Sequence, residues 1–328
     1  MASRRPHDGL FKLTFTDPET AAGELRSILP TAISDAIDWS TLRVEDGTLL
    51  AADLSERFAD ILYTVQLGQQ GAWIYVLFEH QSTPDRMMVA RALVSVARVW
   101  DRLLASERGL RSLPPVIPVL LSHAEGGWTS PRELSEVLDL GEGAYREAML
   151  SLVPHMSLAV IDDLTLLDDD VLDARRLPAF AKLVLAVLRD VRGARDLAAT
   201  LGQIHARWTT RLDRGDPRDE RARNAVHAYT LRVRANDDQA AITGAMLAIE
   251  PEAEEVVMGT IREMEDQAEQ RGQQRGEQRI LTRQLTRRFG ALDASSLGLL
   301  ATADPASLER WAERVLTAAT LAEVFEAD

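Results

Sequence analysis

The chain of 328 residues contains no cysteine. That excludes a disulfide framework, a thiol nucleophile and a thiolate-ligated zinc. Lysine is almost as scarce: only Lys12 and Lys182 occur, so nearly every cation is an arginine. Aromatic residues make up 5% of the chain, too few for a platform that stacks successive bases of a single strand. No apolar run approaches the roughly 20 residues that a membrane-spanning helix needs. Behind the two arginines of MASRRPHDGLF no apolar segment follows, so no secretory leader is expected and the cytoplasm is the default compartment. The six histidines show no H-E-x-x-H pairing, and there is no Gly-rich phosphate loop, G-x-S-x-G elbow or dinucleotide fingerprint. Positive charge is in deficit, with a formal net charge of −14. This disfavours bulk attraction to nucleic acid, but net charge does not decide what a local site binds.

What remains is an ordinary globular composition, 46% hydrophobic and 27% charged, in a chain long enough for a sizeable core and more than one domain. Asp17-Pro18 is a cap followed by an N1 proline and predicts a helix near 18–29. A strand is expected around 41–50. Val89, Leu93, Val96, Val99 and Leu103 recur near helical spacing and predict a long amphipathic helix over 85–107. VIPVLLS (116–122) reads as a buried strand despite Pro118, and SLAVID (157–162) as another short one. Helices are expected at 174–192, 195–208 and 222–249, with DRGDPRDER (213–221) as a loop.

The most informative segment is a hairpin. FADILYTVQL (58–67) and AWIYVLFEHQ (72–81) are rich in β-branched and aromatic residues and are separated by GQQG. If Leu67 pairs with Ala72, paired positions sum to 139 and Asp60 lies opposite Glu79. Directly opposed residues share a face, with Cβ atoms about 4.5–5.5 Å apart. Gln81 points the same way and His80 the other. A slip of one residue would separate the two carboxylates to opposite faces. Opposed carboxylates repel, and a divalent cation is one reason to hold them together. The alternative is a surface hairpin whose charged end reaches water.

The order and spacing of several pieces resemble the Rpn family of recombination-promoting nucleases, also described as YhgA-like transposases, within the PD-(D/E)XK nuclease superfamily. The pieces are PHDGLFKLTF (6–15), the Asp60 strand, LFEHQSTPDRMMVARAL (77–93), LPPVIPVLLSHAEGGW (113–128) and RQLTRRFGAL (283–292). The resemblance implies an α/β fold: a nuclease-like core of α-β-β-β-α-β order, a mixed sheet flanked by helices, followed by a helical C-terminal region. Helix, loop and polar-segment signals along the chain divide it into a nuclease-like domain over 1–195, a helical extension over 196–250, a polar connector helix over 251–280 and a small helical domain over 281–328. By position, the family's metal-binding Asp and E-x-Q element correspond to Asp60, Glu79 and Gln81.

The chemistry expected of such a site is phosphodiester hydrolysis. Mg²⁺, or another divalent cation, takes hard oxygen ligands, lowers the pKa of a bound water and polarises phosphate. Asp60 and Glu79 supply carboxylates and the main-chain carbonyl of His80 a third oxygen; Asp8 is a more distant candidate. The superfamily usually has Lys at the position of Gln81. Glutamine can hydrogen-bond a water but brings no charge. Metal, or an arginine such as Arg91, would then carry more of the electrostatic work, although one arginine on an amphipathic helix is more often solvated or salt-bridged. The expected activity is a Mg²⁺-dependent DNA endonuclease with little sequence preference, in recombination, mobile-element biology or defence. A catalytically silent nuclease fold that binds DNA or a protein is the rival reading.

Arg271, Arg275, Arg279, Arg283 and Arg287 recur every four residues and predict a helical stripe that could follow a nucleic-acid backbone. The plainer reading is a solvated face neutralised by Glu269 and Glu277. Gly272 and Gly276 weaken that helix by roughly 1 kcal/mol each relative to Ala, which suggests a semi-flexible connector. Leu281, Leu285 and Phe289 share a face, with Gly290 as a stop. Homo-oligomerisation through the C-terminal helices would make sense of so small a unit. The acidic run Asp162, Asp163, Asp168, Asp169, Asp170 and Asp173 lacks the spacing of a calcium loop and is expected to cap helices and turns.

Overall fold

The computed structural model describes residues 6–45, 61–68, 72–106 and 109–326, with 72–81 as backbone only. The chain forms two compact units, residues 1–257 and 258–328.

The first unit opens with α1 (Pro6–Phe15) and α2 (Pro18–Ile28). The carboxylate of Asp17 accepts from the Thr20 amide at 3.0 Å, so the expected cap and N1 proline start α2. Phe11 and Phe15 are fully buried, and the Tyr63 hydroxyl donates to the Phe15 carbonyl, tying α1 to the sheet. After a short α3 (Thr31–Ser34) come β1 (Ile37–Val44), β2 (Ile61–Leu67), β3 (Ala72–Gln81), β4 (Val116–Ser122) and β5 (Val160–Asp163) in one sheet, in that spatial order. β1, β2 and β3 are antiparallel neighbours, whereas β3, β4 and β5 run parallel. The parallel step from β3 to β4 requires a crossover, and α4 (Met88–Ser106) provides it.

β1 begins four residues earlier than the sequence suggests, and its register shifts between Asp38 and Arg43. That bulge lets Ile37 and Leu42, an odd five residues apart, both be buried. Pro118 is tolerated inside β4 at a position that β5, whose pairing begins at Val119, has not reached.

Side chains alternate across the sheet. Ile61, Tyr63, Val65, Val119 and Leu121 join the main core, whereas Leu120 packs with Met88, Val89 and Ala92 of α4. The main core is completed by α1, α2, α7 (Ala179–Asp190) and α9 (Pro217–Val233). α7 is buried nearly all round, every residue from Leu183 to Leu188 being inaccessible. Helices thus cover both faces of the sheet. The short α5 (Gly143–Leu150) and α6 (Asp169–Ala174) lie in the links, and α8 (Leu197–Arg207) and α10 (Gln239–Ile249) complete the unit.

Two expected boundaries are wrong for the same reason. The stretch 213–221 is half helix, because Asp216 caps α9 and Pro217 is its first residue. The helix expected over 222–249 breaks at 234–238, where Asp238 accepts from the Ala240 and Ala241 amides and starts α10. In both places a short acidic side chain satisfies amides that an uninterrupted helix would leave to the backbone. The helix expected at 174–192 begins at Ala179, after Pro178.

In the second unit α11 (Glu254–Phe289), whose first residues belong to the first unit, runs without a break through Gly272 and Gly276. Gly290, at φ +88°, ends it. α12 (Ala294–Thr302), α13 (Pro305–Thr317) and α14 (Leu321–Phe325) follow, capped by Asp293, Asp304 and Thr320. Leu281, Leu285, Leu300, Leu308, Trp311, Val315 and Val324 make a core of their own, with Phe289 packed against it and the Trp311 and Phe325 rings edge-on at 4.8 Å.

Candidate functional site

The expected hairpin register holds in every described pair. From Leu67↔Ala72 to Ile61↔Phe78, seven pairs keep the same sum. Asp60 lies outside the described residues. Glu79, His80 and Gln81 form the last three positions of β3, and their neighbours across the parallel ladder are Leu120, Leu121 and Ser122. Among the described residues no group of three acidic or histidine side chains is placed to hold a metal ion. The candidate donors of the hairpin are two carboxylates and a carbonyl, all hard oxygens of the kind Mg²⁺ takes.

Several side chains converge on the ends of β3 and β4 from distant parts of the chain. His123, one residue past β4, is buried with its ring 4.7 Å from that of His7 on α1. The Tyr229 hydroxyl on α9 lies 3.0 Å from His7 Nδ1. Burial raises the pKa of this phenol, and the positive charge of Arg192 offsets part of that rise. Arg192 lies two residues past the end of α7, and its Nη1 donates to the carbonyl of Ser82, the residue after Gln81. Asp8 is half-buried on α1 next to His7. His7, His123, Tyr229 and Arg192 were not singled out from the sequence. They are separated by up to 222 residues, so no local spacing signals them.

Arg91 is half-exposed and paired with Asp85 at 3.0 Å, at the start of α4. It behaves as the salt-bridged surface arginine of the plainer expectation. All five arginines of the α11 stripe are exposed. The Glu277 carboxylate accepts from Gln273 at 2.9 Å. Among the described residues none of the five has a carboxylate partner.

The acidic run is structural. Asp163 accepts from the Trp128 and Thr165 amides, and Asp168 caps α6. Asp169 and Asp173 pair with Arg189 and Arg211, and Asp170 with Arg207. Asp162 belongs to a buried triad: Arg175 bonds both Asp162 oxygens at 2.7 and 2.8 Å and Glu24 Oε1 at 2.5 Å. Burial, then the Asp162 charge, pushes the Glu24 carboxyl well above the usual carboxylate range. Capping was foreseen; the ion pairs were not.

Residues 5–217, from α1 through the whole sheet to the start of α9, match the family described as "Putative transposase, YhgA-like". The chain belongs to that family. Among curated relatives of this YhgA-like protein, recombination-promoting nuclease RpnA of Escherichia coli (strain K12) is 31% identical over 204 residues, 62% of this chain and 65% of RpnA. Recombination-promoting nuclease RpnC of the same strain is 28% identical over 65% of this chain and 66% of its own length. A third relative, named an inactive recombination-promoting nuclease-like protein, RpnE, is 29% identical over similar shares, 65% and 66%. The matches therefore span about two thirds of each relative. No solved structure matches the chain. Among the described residues no helix is long and apolar enough to cross a membrane.

Proposed function

We propose that the protein is a Mg²⁺-dependent DNA endonuclease of the PD-(D/E)XK kind with little sequence preference, acting in recombination, mobile-element biology or defence. The observation that carries this reading is the seven-pair register of β2 and β3, closing at Ile61↔Phe78, in a chain whose family includes relatives named as nucleases. Continued by one further step, that register would set Asp60 against Glu79. The described order from α2 through β1, β2, β3 and α4 to β4, with a mixed sheet, supports the same fold assignment.

In this reading Asp60, Glu79 and the His80 carbonyl hold the cation, with Asp8 of α1 as the more distant candidate to support them. The bound cation supplies Lewis acidity and an acidified water. Gln81 orients that water by hydrogen bonding and adds no charge. The exposed arginines of α11 give the DNA backbone a second, sequence-independent contact.

Incubation of closed circular plasmid with Mg²⁺ or with EDTA tests the activity. Nicked and then linear product in Mg²⁺ alone is the expected result; intact circles in both would reject it. A second reading, a nuclease fold that binds DNA without cutting it, draws on the relative named inactive and on the unpaired arginines. Retarded but uncut plasmid in Mg²⁺ would select it.

A further inference from the structure

Arg192 is half-buried at the junction that follows α7. A guanidinium withdrawn from water is costly unless something compensates its charge. Among the described residues, the carboxylates of the adjoining segments do not. Asp190 is held by Arg189 at 2.7 Å, and Asp237 by Arg234 at 2.6 Å. Glu125, whose carboxylate approaches Gly193, is exposed and makes no ion pair with Arg192. Among the described residues the only acceptor given to the Arg192 side chain is the neutral carbonyl of Ser82.

The position is well fixed. Arg234 Nη1 donates to the Arg192 carbonyl at 2.8 Å, so the junction is held from α9 as well as from the strand end. A cation is therefore anchored one residue beyond Gln81, at the end of β3, with guanidinium N–H groups to spare. Arginine presents five donors in a planar fork that matches two oxygens of a phosphate.

We propose that Arg192 binds a phosphate of the DNA strand seated at the ends of β3 and β4, and so supplies the positive charge that Gln81 lacks. The proposal rests on the nuclease reading of that site. It assigns the role to Arg192 in place of Arg91, whose charge is already matched by Asp85.

The test is binding of a short DNA duplex in EDTA, which removes the metal needed for cutting, over a range of salt concentrations. Wild type, R192Q and R192K would be compared, with their melting temperatures. R192Q is expected to bind about tenfold more weakly, and its salt slope to fall by about one phosphate contact; R192K should keep the wild-type slope. A mere clamp on Ser82 would lower the melting temperature of R192Q and leave the slope unchanged, which overturns the proposal. Should R192Q not fold, wild type and R192K suffice. The guanidinium Nε–H resonance missing from R192K should shift when duplex is added to wild type, and an unmoved resonance overturns the assignment. Wild type that neither binds nor cuts DNA would instead overturn the nuclease reading itself.

Discussion

Glu24 is inaccessible, and among the described residues its Oε2 has no hydrogen-bond partner. Arg175 already neutralises Asp162, so a second charged carboxylate would leave the triad with an excess buried anion. Burial and the Asp162 charge together favour a protonated Glu24. Because its folded pKa is raised, the folded state holds a proton that the unfolded chain releases near pH 4.3. This contribution to stability is fully present below that value and is lost as pH rises through the folded pKa. Glu24→Gln, which mimics the protonated form, is expected to melt no lower than wild type at pH 7 and to flatten the decline of stability with rising pH. Arg175→Ala should cost about 3–5 kcal/mol, because it strands two buried carboxyl groups. Urea melts at pH 5 and pH 8 check both. A marked destabilisation of Glu24→Gln at pH 8 would mean that Glu24 is ionised.

Among the elements, α2 is fixed by close approach as well as by its cap. A Cβ on Gly23 would lie 2.3 Å from the Arg176 carbonyl oxygen, a backbone atom with little freedom to yield. The next residue, Glu24, is bonded to Arg175, so one segment locks two consecutive positions of the helix. Gly23→Ala is therefore expected to lower the urea midpoint, by about 1–3 kcal/mol of stability, even though alanine is the better helix former. An unchanged midpoint would show that α2 can shift freely. This element also illustrates what the sequence disclosed. Asp17-Pro18 announced its start because a cap is local chemistry, and the β2–β3 register followed from a two-glycine turn and alternation. Asp216-Pro217 carries the same signal, but the charged residues around it give the stretch the composition of a loop. The Gly23 contact, the Arg175 triad and the Arg192 anchor were illegible. Each joins residues far apart in the chain, 151 positions in the case of Glu24 and Arg175.

For the whole molecule, a net charge of −14 is reconciled with a nucleic-acid partner by where the cations stand. Many arginines of the first unit are consumed by carboxylates: Arg175, Arg189, Arg207 and Arg211 all neutralise the acidic run. The five stripe arginines of α11 are exposed, and among the described residues none has a carboxylate partner. Reversing Arg275 and Arg279 to Glu is expected to weaken DNA binding and lower the salt slope by about two, since each phosphate contact contributes about one. An unchanged slope would return α11 to a solvated surface. The family match ends at residue 217 and does not include this helix. A truncation is not needed to see its contribution, because the charge reversals leave the buried Leu281 and Leu285 in place.

The central claim is that the end of the β2–β3 hairpin is a metal-dependent nuclease site. Its most direct test is cleavage of supercoiled plasmid by wild type, Asp60→Ala and Glu79→Ala, purified side by side and assayed with Mg²⁺ and with EDTA. The account predicts nicking by wild type in Mg²⁺ only, and loss of that activity in both variants. Cleavage that persists in Asp60→Ala at the wild-type rate would contradict it.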